Sequence, residues 1–245
     1  MKENIPEFLY EMLINEYSEE LANKIIQGYA SKRPVTFRVN TIKTTKQHVI
    51  DVLKNAKIRF RDVLWYEDAL VVEDKDEKAI RELDIYKNGE IYLQSLSSII
   101  PPIVLDPKEG ENILDMTAAP GGKTTEIATL SNNKAMITAC EKNKIRAERL
   151  KYNLDKQGAT RVSLMMKDAR RLDNFFSFDK ILIDAPCSGS GTIDSNRDDI
   201  EKHFTKELVS RSVKTQKELL RKGLKILKAR RRTCIFYMFY IKRRK

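Results

Sequence analysis

The sequence predicts an α/β fold in which a parallel sheet, covered by helices, follows a small α+β module. Two observations predict this arrangement. From Glu111 onward, short apolar runs alternate with helical patterns, as in strand–helix–strand repeats. Before that point, helical patterns are mixed with short strand-like runs. We therefore expect an N-terminal module over residues 1–90 and a sheet domain over residues 91–229.

The N-terminal module begins with helical periodicity in two short pieces, which break near residues 16–18. The run PVTFRVNT, residues 34–41, alternates apolar and polar side chains as a strand does. The run TTKQHVIDVLKNA predicts a helix with Thr44 or Thr45 as its N-cap. Two further strand-like runs, RDVLWYED and ALVVED, complete the pattern of a small α+β module.

Four short apolar runs in the second part of the chain predict four strands: NILDM, AMITACE, VSLMMKD and KILIDA. The helical patterns GGKTTEIATLS and KNKIRAERLKYNLDKQG separate the first three. A long amphipathic pattern over residues 207–228 predicts a helix that should lead into a fifth strand. Three arginines stand where that strand should begin, so we expect the sheet to be incomplete at its C-terminus.

Composition limits the possible function classes. No run approaches the roughly 20 apolar residues of a membrane span, and the N-terminus lacks the pattern of a signal peptide. We expect a soluble, cytoplasmic monomer with no membrane partner. The three cysteines form no CxxC pair and there are only two histidines, which argues against a bound metal and a disulfide framework.

The net charge of +11 is concentrated at the end of the chain. Residues 230–245 carry seven Lys/Arg and no acid, whereas residues 1–229 carry 39 Lys/Arg against 35 Asp/Glu. A mildly basic body is compatible with a nucleic-acid partner but does not establish one.

The run ILDMTAAPGGKTTEIA, residues 113–128, predicts a strand that ends at Asp115, a turn of small residues, and a helix. Gly121 and Gly122 let such a turn bring backbone N–H groups and a helix N-terminus close to a ligand. The run matches neither GxGxxG nor the phosphate loop GxxxxGKS/T. An ordinary tight strand–helix turn is the alternative interpretation.

Acidic residues stand at the ends of the next three predicted strands. Glu141 is a candidate acceptor for ribose hydroxyls, and Asp168 for an adenine amino group. Asp184 is followed by Pro186, Cys187 and a glycine-rich loop in ILIDAPCSGSGT. Because parallel strands end at one edge of a sheet, we expect these side chains to converge there. Solvated strand ends and a buried structural cysteine are the alternatives.

DMTAAPGGKTTEIA and DAPCSGSGT, about sixty residues apart, resemble motifs of the RNA cytosine-5 methyltransferase family of the NOL1/NOP2/Sun type, which includes bacterial ribosomal RNA enzymes. The lead-in GEIYLQSLSSIIPPIVLDPKEGE and the run RPVTFRVNT are also similar to that family. The resemblance covers residues 5–229. Family members usually carry cysteine where this chain has Thr117, a departure that we expect to be tolerated.

The resemblance implies a Rossmann-like methyltransferase fold, S-adenosyl-L-methionine as cofactor, and ribosomal or transfer RNA as partner. It implies a cofactor site with Glu141 at the ribose, Asp168 at the adenine, Asp184 near the reacting centre, and Arg146 as a further contact. The methionine half would be lined by Thr117, Ala118, Ala119, Pro120, Gly121, Gly122 and Lys123. The N-terminal module would resemble an RNA-recognition fold that helps to grip the substrate.

The chemistry of such an enzyme needs a cysteine thiolate that adds to carbon 6 of cytosine, because carbon 5 alone is a poor nucleophile. Asp184, if it is protonated in the complex, is suited to donate a proton to N3, and Lys123 is suited to orient the base or stabilise charge. The resemblance associates Cys187 with product release. It places the nucleophile in an STCS segment at the end of a fifth strand that reads like GGxLVYSTCS. Cys234 lacks the apolar strand and the spacing for that role.

Back-translation of the tail offers an explanation. With AGA or AGG for each arginine, translation one base downstream of Ala229 permits GGELVYSTCS, the missing motif. We therefore expect residues 230–245 to be out-of-frame translation, and the chain as written to be inactive. Three alternatives remain: a genuine basic and aromatic tail, activity with Cys187 as the nucleophile, and a non-catalytic RNA-binding protein on the same fold.

Overall fold

The computed structural model describes residues 5–194, 196, 200, 204–228 and 233–237. The chain divides into two compact units. The described residues of 5–33 and 185–218 form one unit, and those of 34–184 and 219–237 form the other, which contains both sheets.

The first unit begins with two helices, α1 (Glu7–Glu16) and α2 (Glu19–Gly28). The predicted break between them is confirmed, and the hydroxyl of Ser18 caps α2 by accepting a hydrogen bond from the N–H of Leu21 at 3.3 Å. The apolar faces of both helices pack with side chains from the later part of the unit. Phe8 stacks on Phe204 with ring centroids 5.4 Å apart, so this unit has its own apolar core.

The second unit begins with a four-stranded antiparallel sheet in the order β2-β3-β1-β4. Its elements are β1 (Val35–Val39), α3 (Lys46–Asn55), β2 (Phe60–Asp62), β3 (Ala69–Val72), α4 (Glu77–Glu82), α5 (Asp84–Lys87) and β4 (Ile91–Leu93). The side chain of Thr45 caps α3, one of the two predicted N-caps. The prediction that RDVLWYED is a strand is wrong beyond Asp62. The chain turns there and leaves Leu64 fully exposed.

The five-stranded sheet confirms the predicted parallel α/β arrangement. Its elements are α6 (Leu96–Leu105), β5 (Asn112–Asp115), α7 (Gly122–Leu130), β6 (Met136–Cys140), α8 (Lys144–Gln157), β7 (Val162–Met165), β8 (Lys180–Asp184), α9 (Lys206–Ile226) and β9 (Thr233–Tyr237). Sequence analysis did not predict α6, because a proline inside a helical pattern normally ends it, and α6 contains Pro101 and Pro102.

The strand order is β7-β6-β5-β8-β9, so the side of β5 to which successive strands are added changes between β7 and β8. The chain passes from β5 to β6 and β7 on one side, and then crosses to β8 on the other. In open parallel sheets, ligands bind outside the carboxyl ends of the strands at such a switch point. The fold therefore predicts a ligand site at the carboxyl ends of β5 and β8.

The expectation that the sheet lacks a fifth strand is wrong. Thr233–Tyr237 forms β9, parallel to β8, and its register runs from Lys180 beside Thr233 to Asp184 beside Tyr237. Backbone pairing requires no particular side chain, and threonine, isoleucine, phenylalanine and tyrosine all favour strands. The other residues of the predicted out-of-frame tail, 230–232 and 238–245, lie outside the described residues.

Candidate cofactor and catalytic site

The turn between β5 and α7 is held by the buried carboxylate of Asp115. The hydroxyl of Thr124 donates to one of its oxygens at 2.7 Å, and the N–H of Thr117 donates to the other at 3.2 Å. Gly121 has φ +111°, and a Cβ there would lie 3.0 Å from Cδ1 of Leu150. The turn therefore requires glycine at this position, and it leads directly into the N-terminus of α7.

Burial raises the pKa of Asp115 from 3.8 to about 6, although the hydrogen bonds from Thr124 and Thr117 oppose the rise. A carboxyl whose pKa is higher in the folded state favours folding most when it is protonated. Its contribution is therefore lost as the pH rises from about 4 to about 6.

We expect Asp115→Asn to flatten the pH dependence of the free energy of unfolding across that interval, because asparagine has a similar shape and does not titrate. The Asp115 carboxyl changes the free energy of unfolding by about 1.4 kcal/mol per pH unit, and by on the order of 3 kcal/mol over the whole interval. Urea unfolding between pH 4 and pH 7 measures it, with the exposed Asp155→Asn as control. An unchanged slope in Asp115→Asn would contradict the assignment.

The ends of β5 and β8 are joined by direct hydrogen bonds. The hydroxyl of Thr117 donates to the carbonyl oxygen of Asp184 at 2.7 Å. The ammonium of Lys123 donates to Oδ2 of Asp184 at 2.7 Å and to Oγ of Ser98 at 2.8 Å. Only 12% of the Lys123 side chain is exposed, against 35% for Asp184. The turn and the end of β8 thus present a half-buried pair of opposite charges at the carboxyl edge.

Glu141 follows β6 and is almost completely buried. Its Oε1 accepts from the N–H of Asn143 at 2.8 Å, and its Oε2 lies 3.4 Å from Nη1 of Arg146. Nη2 of Arg146 donates to the carbonyl oxygen of Ala119 at 2.8 Å. Arg146 therefore connects the Glu141 carboxylate to the turn that follows β5.

Asp168 lies three residues beyond the end of β7 and not on the strand itself. It caps a short 3-10 helix, and its carboxylate is paired with the guanidinium of Arg170 at 2.5 Å. Hydrogen bonds from Arg170 lower the pKa of Asp168. The side chain keeps some exposure, with 18% of its surface accessible.

The three cysteines occupy different positions in the fold. Burial raises the pKa of Cys140 to about 12, so its thiol is a poor nucleophile. Cys187 is half-buried in the unit that contains residues 185–218, and its Sγ accepts from the N–H of Gly189 at 3.4 Å. Cys234 lies in the middle of β9, paired with Ile181, and not at its carboxyl end.

Sequence reasoning missed several residues that contact the turn. Ser98 on α6 binds Lys123, and Asn153 on α8 donates to the carbonyl oxygen of Pro120 at 2.7 Å. No periodicity distinguishes either residue. Ser98 falls inside the lead-in run whose similarity to the methyltransferase family was noted, and that similarity was the one available signal.

Two further kinds of site are absent from the part of the chain that the structure describes. No described helix is both long enough and apolar enough to cross a membrane. The described residues contain no group of three or more His, Cys, Asp or Glu side chains arranged to hold a metal ion.

Residues 102–237 match the family described as 16S rRNA methyltransferase RsmB/F, and residues 5–77 match a ferredoxin-like domain of RsmF/B-like methyltransferases. The chain is 35% identical over 189 residues to the 25S rRNA (cytosine-C(5))-methyltransferase nop2 of Schizosaccharomyces pombe, covering 76% of this chain and 31% of that protein. It is 33% identical over 210 residues to the ribosomal RNA small subunit methyltransferase F of Shewanella loihica, covering 82% and 43%.

A solved structure, a methyltransferase homolog protein from Pyrococcus horikoshii, superposes with a TM-score of 0.73 and 32% identity, covering 91% of this chain and 74% of that one. The chain spans less than half the length of the two curated relatives described above. The first family match alone includes more than half of the chain. The chain belongs to the 16S rRNA methyltransferase RsmB/F family.

Proposed function

We propose that the protein is an S-adenosylmethionine-dependent methyltransferase that acts on carbon 5 of cytosine in RNA, ribosomal or transfer. The Lys123–Asp184 ion pair carries the proposal. It lies at the carboxyl edge where the strand order reverses, and the Thr117 hydrogen bond ties it to the turn after β5. Both curated relatives described above are named as ribosomal RNA methyltransferases, one of them specific for cytosine C(5).

The residues of the turn fit S-adenosylmethionine, which supplies an electrophilic methyl group when it is bound. The first N–H groups of α7 have no acceptor within their own helix, so they can bind a carboxylate such as that of the methionine half. The buried carboxylate of Glu141 has the chemistry to accept hydrogen bonds from a ribose diol. Arg146 holds that carboxylate next to the turn. We assign the adenine contact to Asp168.

In this proposal the protein's own residues bind and orient the base. Asp184 contacts N3 of a cytosine that has been unstacked from its RNA neighbours, and in the complex the protonated form of Asp184 provides the proton at that atom. Lys123 fixes the Asp184 carboxyl through the 2.7 Å hydrogen bond and balances its charge. Cys187, three residues further along the chain, takes part in the release of the product.

The register of β9 supports the frameshift hypothesis. Tyr237 pairs with Asp184, the last residue of β8, and codon 238 directly follows the codon of that paired residue. The cysteine of the shifted frame is encoded across codons 238 and 239, which begin at that point. Cys234 pairs with Ile181, three positions before the edge. We therefore propose that the printed tail lacks the nucleophile, and that the shifted frame encodes it one position beyond the residue that pairs with Asp184.

We further propose that the module over residues 1–90 contributes to RNA binding and that residues 91–229 carry the methyltransferase site. The curated relative from Shewanella loihica acts, by its name, on RNA of the small ribosomal subunit. We accordingly propose that the protein works in the cytoplasm. We also propose that it is a monomer.

Calorimetric titration with S-adenosylmethionine tests the cofactor site. We expect Glu141→Gln to weaken binding about tenfold, equal to about 1.4 kcal/mol, because the neutral amide loses both the Arg146 pair and the charge that attracts hydroxyl donors. Glu148→Gln, an exposed glutamate on α8, is the matched control. Equal affinities in Glu141→Gln and in the unaltered chain would remove Glu141 from the site, and absence of binding in both would overturn the proposed cofactor.

A further inference from the structure

A fully buried arginine–glutamate pair lies next to the turn that follows β5, and burial raises the pKa of the glutamate, Glu126, to about 8. Arg38 on β1 and Glu126 on α7 have no exposed surface, and Nε of Arg38 lies 3.9 Å from Oε2 of Glu126. Nη1 of Arg38 and Oε1 of Glu126 have no hydrogen-bond partner among the described residues. A buried ion pair with this geometry is a weak source of stability, because desolvation offsets its attraction.

The hydrogen bonds of Arg38 are directed at the start of α7. Its Nη2 donates to Oγ1 of Thr125 at 2.8 Å and to the carbonyl oxygen of Gly122 at 3.3 Å. The guanidinium also lies over the ring of Tyr92, 5.2 Å from its centroid. One side chain of the four-stranded sheet therefore holds the first residue of the helix that begins at the proposed cofactor site.

Gln94 extends this contact toward Lys123. Its Oε1 accepts from Nε of Arg38 at 3.0 Å, while its Nε2 donates to Oε2 of Glu126 at 2.8 Å and to the carbonyl oxygen of Ser98 at 3.0 Å. Oγ of Ser98 in turn accepts from Lys123. Arg38 is thus connected to the turn directly, through Gly122, and to the Lys123–Asp184 pair indirectly, through Gln94 and Ser98.

We propose that Arg38 is a positioning residue for the methyl-transfer site, which it serves by fixing the first turn of α7 and the Ser98 partner of Lys123. The inference rests on the proposed function, because it assumes that the β5–α7 turn binds the cofactor. It assigns to the N-terminal module a second role besides RNA binding, namely to hold the cofactor turn in its binding geometry.

The experiment separates two effects of Arg38: its hydrogen bonds to α7 and its charge beside Glu126. Replacing Arg38 alone leaves Glu126 buried without a cation, so the single variant can fail to fold for a trivial reason. The double variant Arg38→Met/Glu126→Gln removes both charges and keeps the Gln94 hydrogen bond to residue 126. Its reference is the single variant Glu126→Gln, which retains every hydrogen bond that Arg38 donates to α7. Because this variant leaves the buried Arg38 cation without a carboxylate, it serves as the reference only if it unfolds near the temperature of the unaltered chain, and otherwise Arg38→Lys decides the question. The exposed pair on α4 provides a matched control, Arg81→Met/Glu77→Gln.

Two quantities are measured for each protein: the dissociation constant for S-adenosylmethionine by calorimetry, and the midpoint of thermal unfolding. We expect the double variant to unfold near the temperature of Glu126→Gln but to bind the cofactor about tenfold more weakly, a loss of about 1.4 kcal/mol. The surface control should match the unaltered chain in both quantities. Equal cofactor affinity in the double variant and in Glu126→Gln would overturn the inference and leave the proposed function standing.

If the double variant unfolds at a much lower temperature, Arg38→Lys decides the question. Lysine keeps a positive charge beside Glu126 but lacks the planar fork that contacts Gly122, Thr125 and Gln94 together. A folded Arg38→Lys protein with weakened cofactor binding supports positioning, and one with unchanged binding overturns it. An unaltered chain that binds no cofactor overturns the proposed function, and this inference with it.

Discussion

Deleting one base at the Ala229–Arg230 codons of the gene is expected to convert an inactive chain into an RNA methyltransferase. The deletion restores a frame that encodes GGELVYSTCS in place of the arginine-rich tail. Its cysteine falls at the position after Tyr237, which pairs with Asp184 at the carboxyl end of β8. A thiolate at that edge can add to carbon 6 of cytosine, and without it carbon 5 is too weak a nucleophile to accept a methyl group.

The measurement is transfer of a labelled methyl group to RNA by the printed chain and by the frame-restored chain. We expect a difference of at least about 10³-fold, because covalent catalysis is the step that the printed chain lacks. Changing the restored cysteine to alanine should return the activity to the level of the printed chain. This variant is the matched control for the other residues that the deletion also changes, which include nine in the ten-residue motif.

Three outcomes would contradict this prediction. If the gene, read one base downstream of the Ala229 codon, does not encode GGELVYSTCS, the frameshift hypothesis fails. If the printed chain is active and forms an adduct with 5-fluorocytosine RNA that Cys187→Ala abolishes, Cys187 is the nucleophile. If both chains bind RNA in a salt-dependent manner but transfer no methyl group, the protein is a non-catalytic RNA-binding protein.

Asp184→Asn in the frame-restored chain is expected to lower kcat by about 10² to 10⁴-fold, the range typical of a lost general acid. Asparagine preserves the shape of the side chain and can still accept the hydrogen bond from Lys123. It cannot provide a proton to N3 of the base. Single-turnover methyl transfer under saturating cofactor and RNA measures the effect.

The control for this prediction is Asp106→Asn, because Asp106 forms an aspartate–lysine pair with Lys108 on the exposed surface at 2.6 Å. Cofactor affinity should change little in Asp184→Asn, so a loss confined to kcat identifies a role in the chemical step. A loss of cofactor binding with unchanged kcat would instead place Asp184 in the cofactor site alone.

Much of the sheet domain was predictable because its strands are short, continuous apolar runs. The predictions of β5, β6, β7 and β8, and of the helices α7 and α8 between the first three of them, were confirmed. Parallel strands buried on both faces produce this pattern, and it survives in a single sequence. By contrast, the prediction of a strand over RDVLWYED was wrong beyond Asp62. The alternation of apolar and polar side chains does not show at which residue a strand ends and a turn begins.

The fifth strand is a second case in which the side-chain pattern led to a wrong prediction. Sequence reasoning required an apolar run after α9, whereas β9 forms by backbone pairing with the free edge of β8. Backbone hydrogen bonds carry no side-chain identity, so a segment of high strand propensity can occupy that edge without the expected motif.

By itself, the sequence determined the family, the parallel sheet, the turn after β5 and the acids at the ends of β5, β6 and β8, because these depend on local patterns and on motifs of adjacent residues. Only the tertiary structure decided that Lys123 pairs with Asp184, that Arg146 bridges Glu141 to Ala119, and that Arg38 lies behind Gly122. The contacts Lys123–Asp184, Arg146–Ala119 and Arg38–Gly122 join residues 61, 27 and 84 positions apart. Such contacts depend on strand order and burial, which no local pattern encodes.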